Sequence, residues 1–191
     1  FKLDWFILSI YFFLVIFGYF NVFSALSGTE ISSYLDISKP HGKQLIFIGI
    51  SALLIVIIFA LDTKIYERYA SIIYVLSLVS LIGLFVFGKR INGALSWYDL
   101  GGMTIQPGEF AKFATTLGLA KYISDLQTDI KAYKHQFRSS LIFIIPSLLI
   151  ILQNDAGTSI IFAALIFVLF REGIPQKYIY IGFSILLIMP A

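Results

Sequence analysis

The chain reads as an all-α, polytopic transmembrane helical bundle, and three observations predict this. Its 191 residues are 59% hydrophobic and only 13% charged, with a mean hydropathy of +0.90, whereas soluble domains carry roughly a quarter charged residues. Apolar stretches recur at close to the length that crosses a hydrocarbon core about 30 Å thick, which is about 20 residues at 1.5 Å each. The basic residues between those stretches fall alternately into rich and poor loops, the asymmetry that orients membrane chains.

Within a single transmembrane domain, spans are expected at about 5–26, 45–61, 70–87, 107–124, 140–153, 157–170 and 178–191. Trp5 to Leu26 is long enough to cross outright. Leu45 to Leu61 and Ala70 to Phe87 are slightly short but free of charge. The fourth is weakest, because Lys112, Thr115, Thr116 and Gly118 interrupt its apolar centre; extended from Pro107 to Ser124 it becomes long enough. Leu141 to Gln153 and Thr158 to Phe170 are separated only by Asn154-Asp155-Ala156-Gly157, and each is short for a crossing. A re-entrant hairpin is the competing reading, but two spans make the flanking loops alternate in charge. Tyr178 begins a seventh. A chain that starts at Phe1 and stops at Pro190-Ala191 inside an apolar run is expected to be a piece of a longer protein.

Orientation follows from the 14 Lys and Arg. With the N-terminus cytoplasmic, nine lie inside: Lys2, Lys64, Arg68, Lys121, Lys131, Lys134, Arg138, Arg171 and Lys177. Only Lys39, Lys43, Lys89 and Arg90 lie outside, and Lys112 falls within a span. The reverse orientation would break the positive-inside rule. Glu109 and Asp155 each then start a helix running inward, so two carboxylates converge on the outer side.

Several chemistries are excluded. Without cysteine there is no disulfide framework, thiolate metal site or thiol nucleophile. His41 and His135 sit in separate loops and make no metal cluster alone; His41 reads as a solvated loop residue. The net charge of +3 is small, belongs to the membrane flanks and does not signal a nucleic-acid partner. The first apolar stretch is too long for a signal peptide, and no small-residue cleavage site follows it.

The connection from Gly88 to Lys112 is the most informative segment. A chain that only crossed lipid would need a short solvated turn there. Instead the connection is semi-apolar, and it feeds Glu109 and Lys112 straight into the next helix; charge at membrane depth marks a pathway or a site by default. Pro107 suits a first helical turn, and Glu109 sits where the helix dipole favours an anion. A structural reading, an i,i+3 pair that merely stabilises a helix start, stands beside the functional one. Asp155 with Asn154, Gly157 and Thr158 likewise reads first as a helix cap, and Gln153 beside it makes a polar cluster. Trp97 and Tyr98 fit an interfacial aromatic belt. Lys89 and Arg90 could meet a phospholipid headgroup or a pyrophosphate. Pro146 is expected to kink the fifth span, which is tolerated where a neighbour satisfies the freed carbonyl.

Gly93-Ala94-Leu95-Ser96-Trp97, Leu100-Gly101, Gln106-Pro107-Gly108-Glu109-Phe110-Ala111-Lys112 and Gln153-Asn154-Asp155-Ala156-Gly157-Thr158 resemble, in order and spacing, the SEDS membrane proteins, RodA more than FtsW. Three departures stand out. Gly108 replaces the family's usual Ser, Asn154 and Ala156 replace Pro and Leu, and Ser96 stands where Arg is common. The resemblance implies a peptidoglycan glycosyltransferase that polymerises lipid II at the outer face of the bacterial cytoplasmic membrane, in cell-wall elongation and cell-shape control. It implies a class B penicillin-binding protein as partner and a surrounding of membrane lipid. Glu109, Lys112, Asp155, Gln153, Thr158, Arg90 and Trp97 become candidates to line the substrate cavity. No cofactor is fixed, although a divalent cation such as Mg or Mn could assist departure of the pyrophosphate. The catalytic aspartate is expected in an outer loop after the seventh span, so the chain alone is expected to be inactive. A lipid-linked precursor flippase, or a non-catalytic scaffold for the penicillin-binding protein, are the alternatives.

Overall fold

The computed structural model describes residues 4–26, 36–101, 103–125, 129–175 and 180. It forms two units, Phe1–Asp62 and Thr63–Ala191.

The first unit holds α1 (Trp5–Leu26) and α2 (Pro40–Ala60). Asp4 starts α1 by accepting from the backbone N–H of Phe6 at 3.0 Å and of Ile7 at 3.2 Å, satisfying donors that a helix start leaves open. Pro40 opens α2 at a position where its missing N–H costs nothing. In both helices the most apolar stretch has no buried residue, as expected of surfaces whose solvent is lipid. His41 departs from its expected role. It is buried in the first turn of α2, with its ring edge-on to Phe23 at a centroid distance of 5.1 Å. The helix begins earlier than the apolar stretch and takes in Pro40 and His41. Residues 27–35 of the expected loop lie outside the described residues.

The second unit runs through α3 (Thr63–Phe87), β1 (Lys89–Ile91), β2 (Ala94–Asp99), β3 (Thr104–Ile105), α4 (Pro107–Ser124), α5 (Tyr133–Leu152), α6 (Ala156–Ala163) and α7 (Leu165–Arg171). Helices α3 and α5 begin well before the apolar stretches expected at 70–87 and 140–153, because their first turns are polar. Along with α1 and α2, they are long and apolar enough to cross a membrane. The expected sixth span at 157–170 is divided at Ala164 into α6 and α7. The expected seventh, 178–191, lies outside the described residues apart from Tyr180.

Two apolar clusters hold this unit together. Leu81, Leu84, Ala111, Ile150 and Phe162 pack where α3 ends and α4 begins. Leu119, Ile130, Phe143, Leu169 and Ile174 pack toward the opposite end. Pro146 inside α5 cannot donate to the carbonyl of Ile142, four residues earlier, and the Tyr74 hydroxyl of α3 donates to that carbonyl at 2.9 Å. Ser147 and Ser159 bring α5 and α6 together with their hydroxyls 3.1 Å apart, a small-residue polar contact typical of helices packed in lipid.

The connection between α3 and α4 folds into a three-stranded antiparallel sheet, β1-β2-β3. Asn92 (φ 51°) and Gly93 (φ 88°) both take positive φ, the conformation an Asn-Gly hairpin turn requires. The register shifts by one residue between the Lys89–Trp97 and Ile91–Ala94 pairs, a bulge. The sheet is anchored on α3 by Tyr98, whose hydroxyl donates to the Ser80 carbonyl at 2.8 Å. Gly83 makes room for it, since a Cβ there would stand 2.5 Å from the Tyr98 oxygen.

Candidate functional site

A group of polar side chains in the second unit gathers where α3 ends, α4 begins and α5 turns into α6. The turn is built locally. Asn154, in the left-handed region at φ 61°, ends α5: its N–H donates to Ile151 O at 2.9 Å, and that of Asp155 donates to Ile150 O at 3.2 Å. This pair of bonds is a Schellman end with Asn in the place glycine usually holds. Asp155 then caps α6, its Oδ1 accepting from the Thr158 N–H at 3.0 Å. Four residues thus reverse the chain and satisfy several of the groups that two helix ends expose.

Gln153 locks this turn to its neighbours. It is buried; its side-chain amide donates to the Leu81 carbonyl of α3 at 2.9 Å, and its own carbonyl accepts from the Leu95 N–H of β2 at 2.8 Å. It joins the turn to α3 and β2. Across the turn stands Gln106, the residue before α4. Its Nε2 donates to Asp155 Oδ2 at 3.0 Å and to Thr158 Oγ1 at 3.3 Å. Gly108 permits the approach of the two helices, since a Cβ there would meet Thr158 Cγ2 at 3.2 Å. Ser96 is buried beside the same carboxylate, but its hydroxyl closes no hydrogen bond of good geometry. Burial opposes ionisation of Asp155. Donation from the Thr158 N–H and hydroxyl and from Gln106, with the Ser96 hydroxyl close by, outweighs it, so the carboxyl is held below the ordinary carboxylate range.

Glu109 and Lys112 lie one turn into α4. Lys112 Nζ reaches the Glu109 carboxylate at 2.8 Å, with the Glu109 side chain 56% exposed and that of Lys112 24% exposed. The pair therefore opens onto a surface and is held by little besides itself. Trp97 is half-buried on β2 opposite Lys89, and Lys89 is paired with Asp99 at 2.6 Å. Arg90 is exposed on β1, and no hydrogen bond ties it to Glu109 or Asp155. The fold thus brings Asp155, Thr158 and Gln153 into one cluster, sets Glu109 with Lys112 on the helix that Gln106 precedes, and leaves Arg90 and Trp97 on the adjoining sheet. Sequence reasoning missed Gln106 and Ser96. The signal available for Gln106 was its place at a helix start that its side chain does not cap.

A model of the FtsW/RodA/SpoVE family, described as cell cycle proteins, matches residues 4–191. The chain belongs to this family. Similar proteins include the peptidoglycan glycosyltransferase MrdB of Escherichia coli K12, 31% identical over 144 residues, which are 74% of this chain and 38% of MrdB. The solved rod shape determining protein RodA of Thermus thermophilus superposes with a TM-score of 0.81 at 26% identity, covering 98% of this chain and 60% of that one. A chain of a peptidoglycan synthase complex, described as coordinating polymerisation and crosslinking, superposes with a TM-score of 0.78 at 26% identity over 97% of this chain and 52% of its own. The chain thus spans well under half the length of the curated FtsW/RodA/SpoVE relative and somewhat over half of the solved ones. Among the described residues, no three His, Cys, Asp or Glu side chains come together as metal ligands.

Proposed function

We propose that this chain supplies the membrane bundle of a peptidoglycan glycosyltransferase that polymerises lipid II at the outer face of the bacterial cytoplasmic membrane. Its N-terminus faces the cytoplasm, it serves cell-wall elongation and cell shape, and a class B penicillin-binding protein crosslinks its product. One observation carries the reading. In a family whose relatives are named peptidoglycan glycosyltransferases, an exposed carboxylate–ammonium pair and a fixed carboxylate stand at one end of the helices, beside a sheet bearing Arg90. Polymerisation breaks the bond between an anomeric carbon and a lipid pyrophosphate and forms one to a sugar hydroxyl. A carboxylate can accept the hydroxyl proton, and cations favour the departing pyrophosphate. Lys112 and Arg90 are the cations assigned to the pyrophosphate. Glu109 holds Lys112 in place, and Asp155 shapes the wall of the cavity. The catalytic aspartate is assigned to the outer loop after the seventh span.

The test is glycan-chain output from purified full-length protein given lipid II in detergent. Polymer from the wild type, with large losses on Glu109→Ala and Asp155→Asn, supports the reading; normal output from both variants removes the site. A flippase has nothing to transport in detergent and would make no polymer. A non-catalytic scaffold would likewise make no polymer, and Glu109→Ala would then show itself only as loss of the complex with the penicillin-binding protein.

A further inference from the structure

We infer that Gln106 is a positioning residue: its side-chain amide sets the register of α4 against α6, and so the placement of the Glu109–Lys112 pair relative to Asp155. The inference rests on the function proposed above. The first observation is a local rule that Gln106 breaks. It occupies the N-cap of α4, where Ser, Thr, Asp or Asn would satisfy an open backbone N–H, yet it makes no side-chain cap bond. Its amide reaches instead across 49 positions of sequence to Asp155 Oδ2 and on to Thr158 Oγ1. Asp155 is itself the N-cap of α6. One helix start is left uncapped so that the cap of another can be held, and departures of this kind from local preference mark functional positions.

The second observation is geometric. One amide nitrogen lies within hydrogen-bond distance of two groups at the start of α6, a carboxylate oxygen and a hydroxyl, and two contacts constrain rotation as well as distance. Gly108, two residues on, lets α4 approach Thr158 closely enough for it to form. From Gln106 the helix runs directly to Glu109 and Lys112, so a shift of α4 moves both. A shorter side chain at 106 could cap α4 but not reach Asp155. Gln106→Ser therefore separates the two roles: it improves the local helix start and removes the bridge.

The experiment uses the full-length protein with cysteines introduced at the exposed Phe113 of α4 and Ile160 of α6, in a background with no other cysteine. This chain itself contributes none. Spin labels at the two sites report the distance distribution between the helices. Gln106→Ser is expected to broaden or shift that distribution and to lower kcat for lipid II polymerisation by about tenfold or more, with a smaller change in KM and no fall in thermal midpoint. The paired exchange Gln106→Glu with Asp155→Asn keeps an amide-to-carboxylate bond across the helices with donor and acceptor reversed, and is expected to restore the wild-type distance. An unchanged distance in Gln106→Ser overturns the inference, as does failure of the exchange to restore a disturbed one. If the wild type makes no polymer, the proposed function fails while the distances still decide the role of Gln106.

Discussion

The two carboxylates at this end of the helices are held in opposite ways. Both oxygens of Asp155 are engaged, one by the backbone of its own helix and one by Gln106 of another. The turn that carries Asp155 is pinned to α3 and to β2 through Gln153. Glu109 is largely exposed and shares one contact with Lys112 on its own helix. The first arrangement preserves shape, and the second leaves charge available. The proposed function would use both: a corner that does not move, and a pair whose partners can be exchanged for those of a ligand.

The contrast predicts a ranked series of effects. Asp155→Ala removes the cap of α6 and strands the Gln106 amide, and should cost about 2–4 kcal/mol in reversible unfolding of the full protein. A cost below that of Glu109→Gln would erase the distinction. Next, Gln153→Leu should cost about 1–2 kcal/mol by removing the bond to the Leu81 carbonyl, measured as a lower thermal midpoint. Tyr74→Phe tests polar pinning in mid-bundle, away from both carboxylates. It should cost about 1 kcal/mol, and much less when Pro146→Ala gives the Ile142 carbonyl back its own helical donor. Glu109→Gln should change stability by only a few tenths of a kcal/mol, as expected of exposed pairs, while polymer output drops.

Acid sharpens the comparison further. The depressed pKa of Asp155 means that its folded state favours the ionised form. Its contribution is therefore present above the ordinary carboxylate range and is lost only as pH falls through the lower folded value. Unfolding between neutral pH and strong acid should show this acid limb in the wild type, and Asp155→Asn should flatten it.

Much of this was legible in the sequence because it is local. Asp155 three residues before Thr158 is a cap by spacing, Glu109 and Lys112 at i,i+3 face each other on any helix, and the apolar stretches are long enough to reveal most of the helices. What could not be read joins distant segments. Gln106 meets Asp155 across 49 positions, and Gln153 meets Leu81 across 72; neither spacing carries a period. Strands of 3, 6 and 2 residues are too short to show alternation, although Asn92-Gly93 announced the turn between two of them. His41 looked like a loop residue because it precedes the apolar stretch. Helix α2 starts at Pro40 and takes His41 in, against Phe23.

Sidedness gives the most direct test of the central claim, that the end of the helices carrying Glu109 and Asp155 opens to the outside of the cell. Leu100, exposed in the loop after β2, can be changed to cysteine in a cysteine-free full-length protein and treated in intact cells with a membrane-impermeant maleimide. The account predicts labelling without permeabilisation. Labelling that appears only after the membrane is opened would put these residues in the cytoplasm and contradict it.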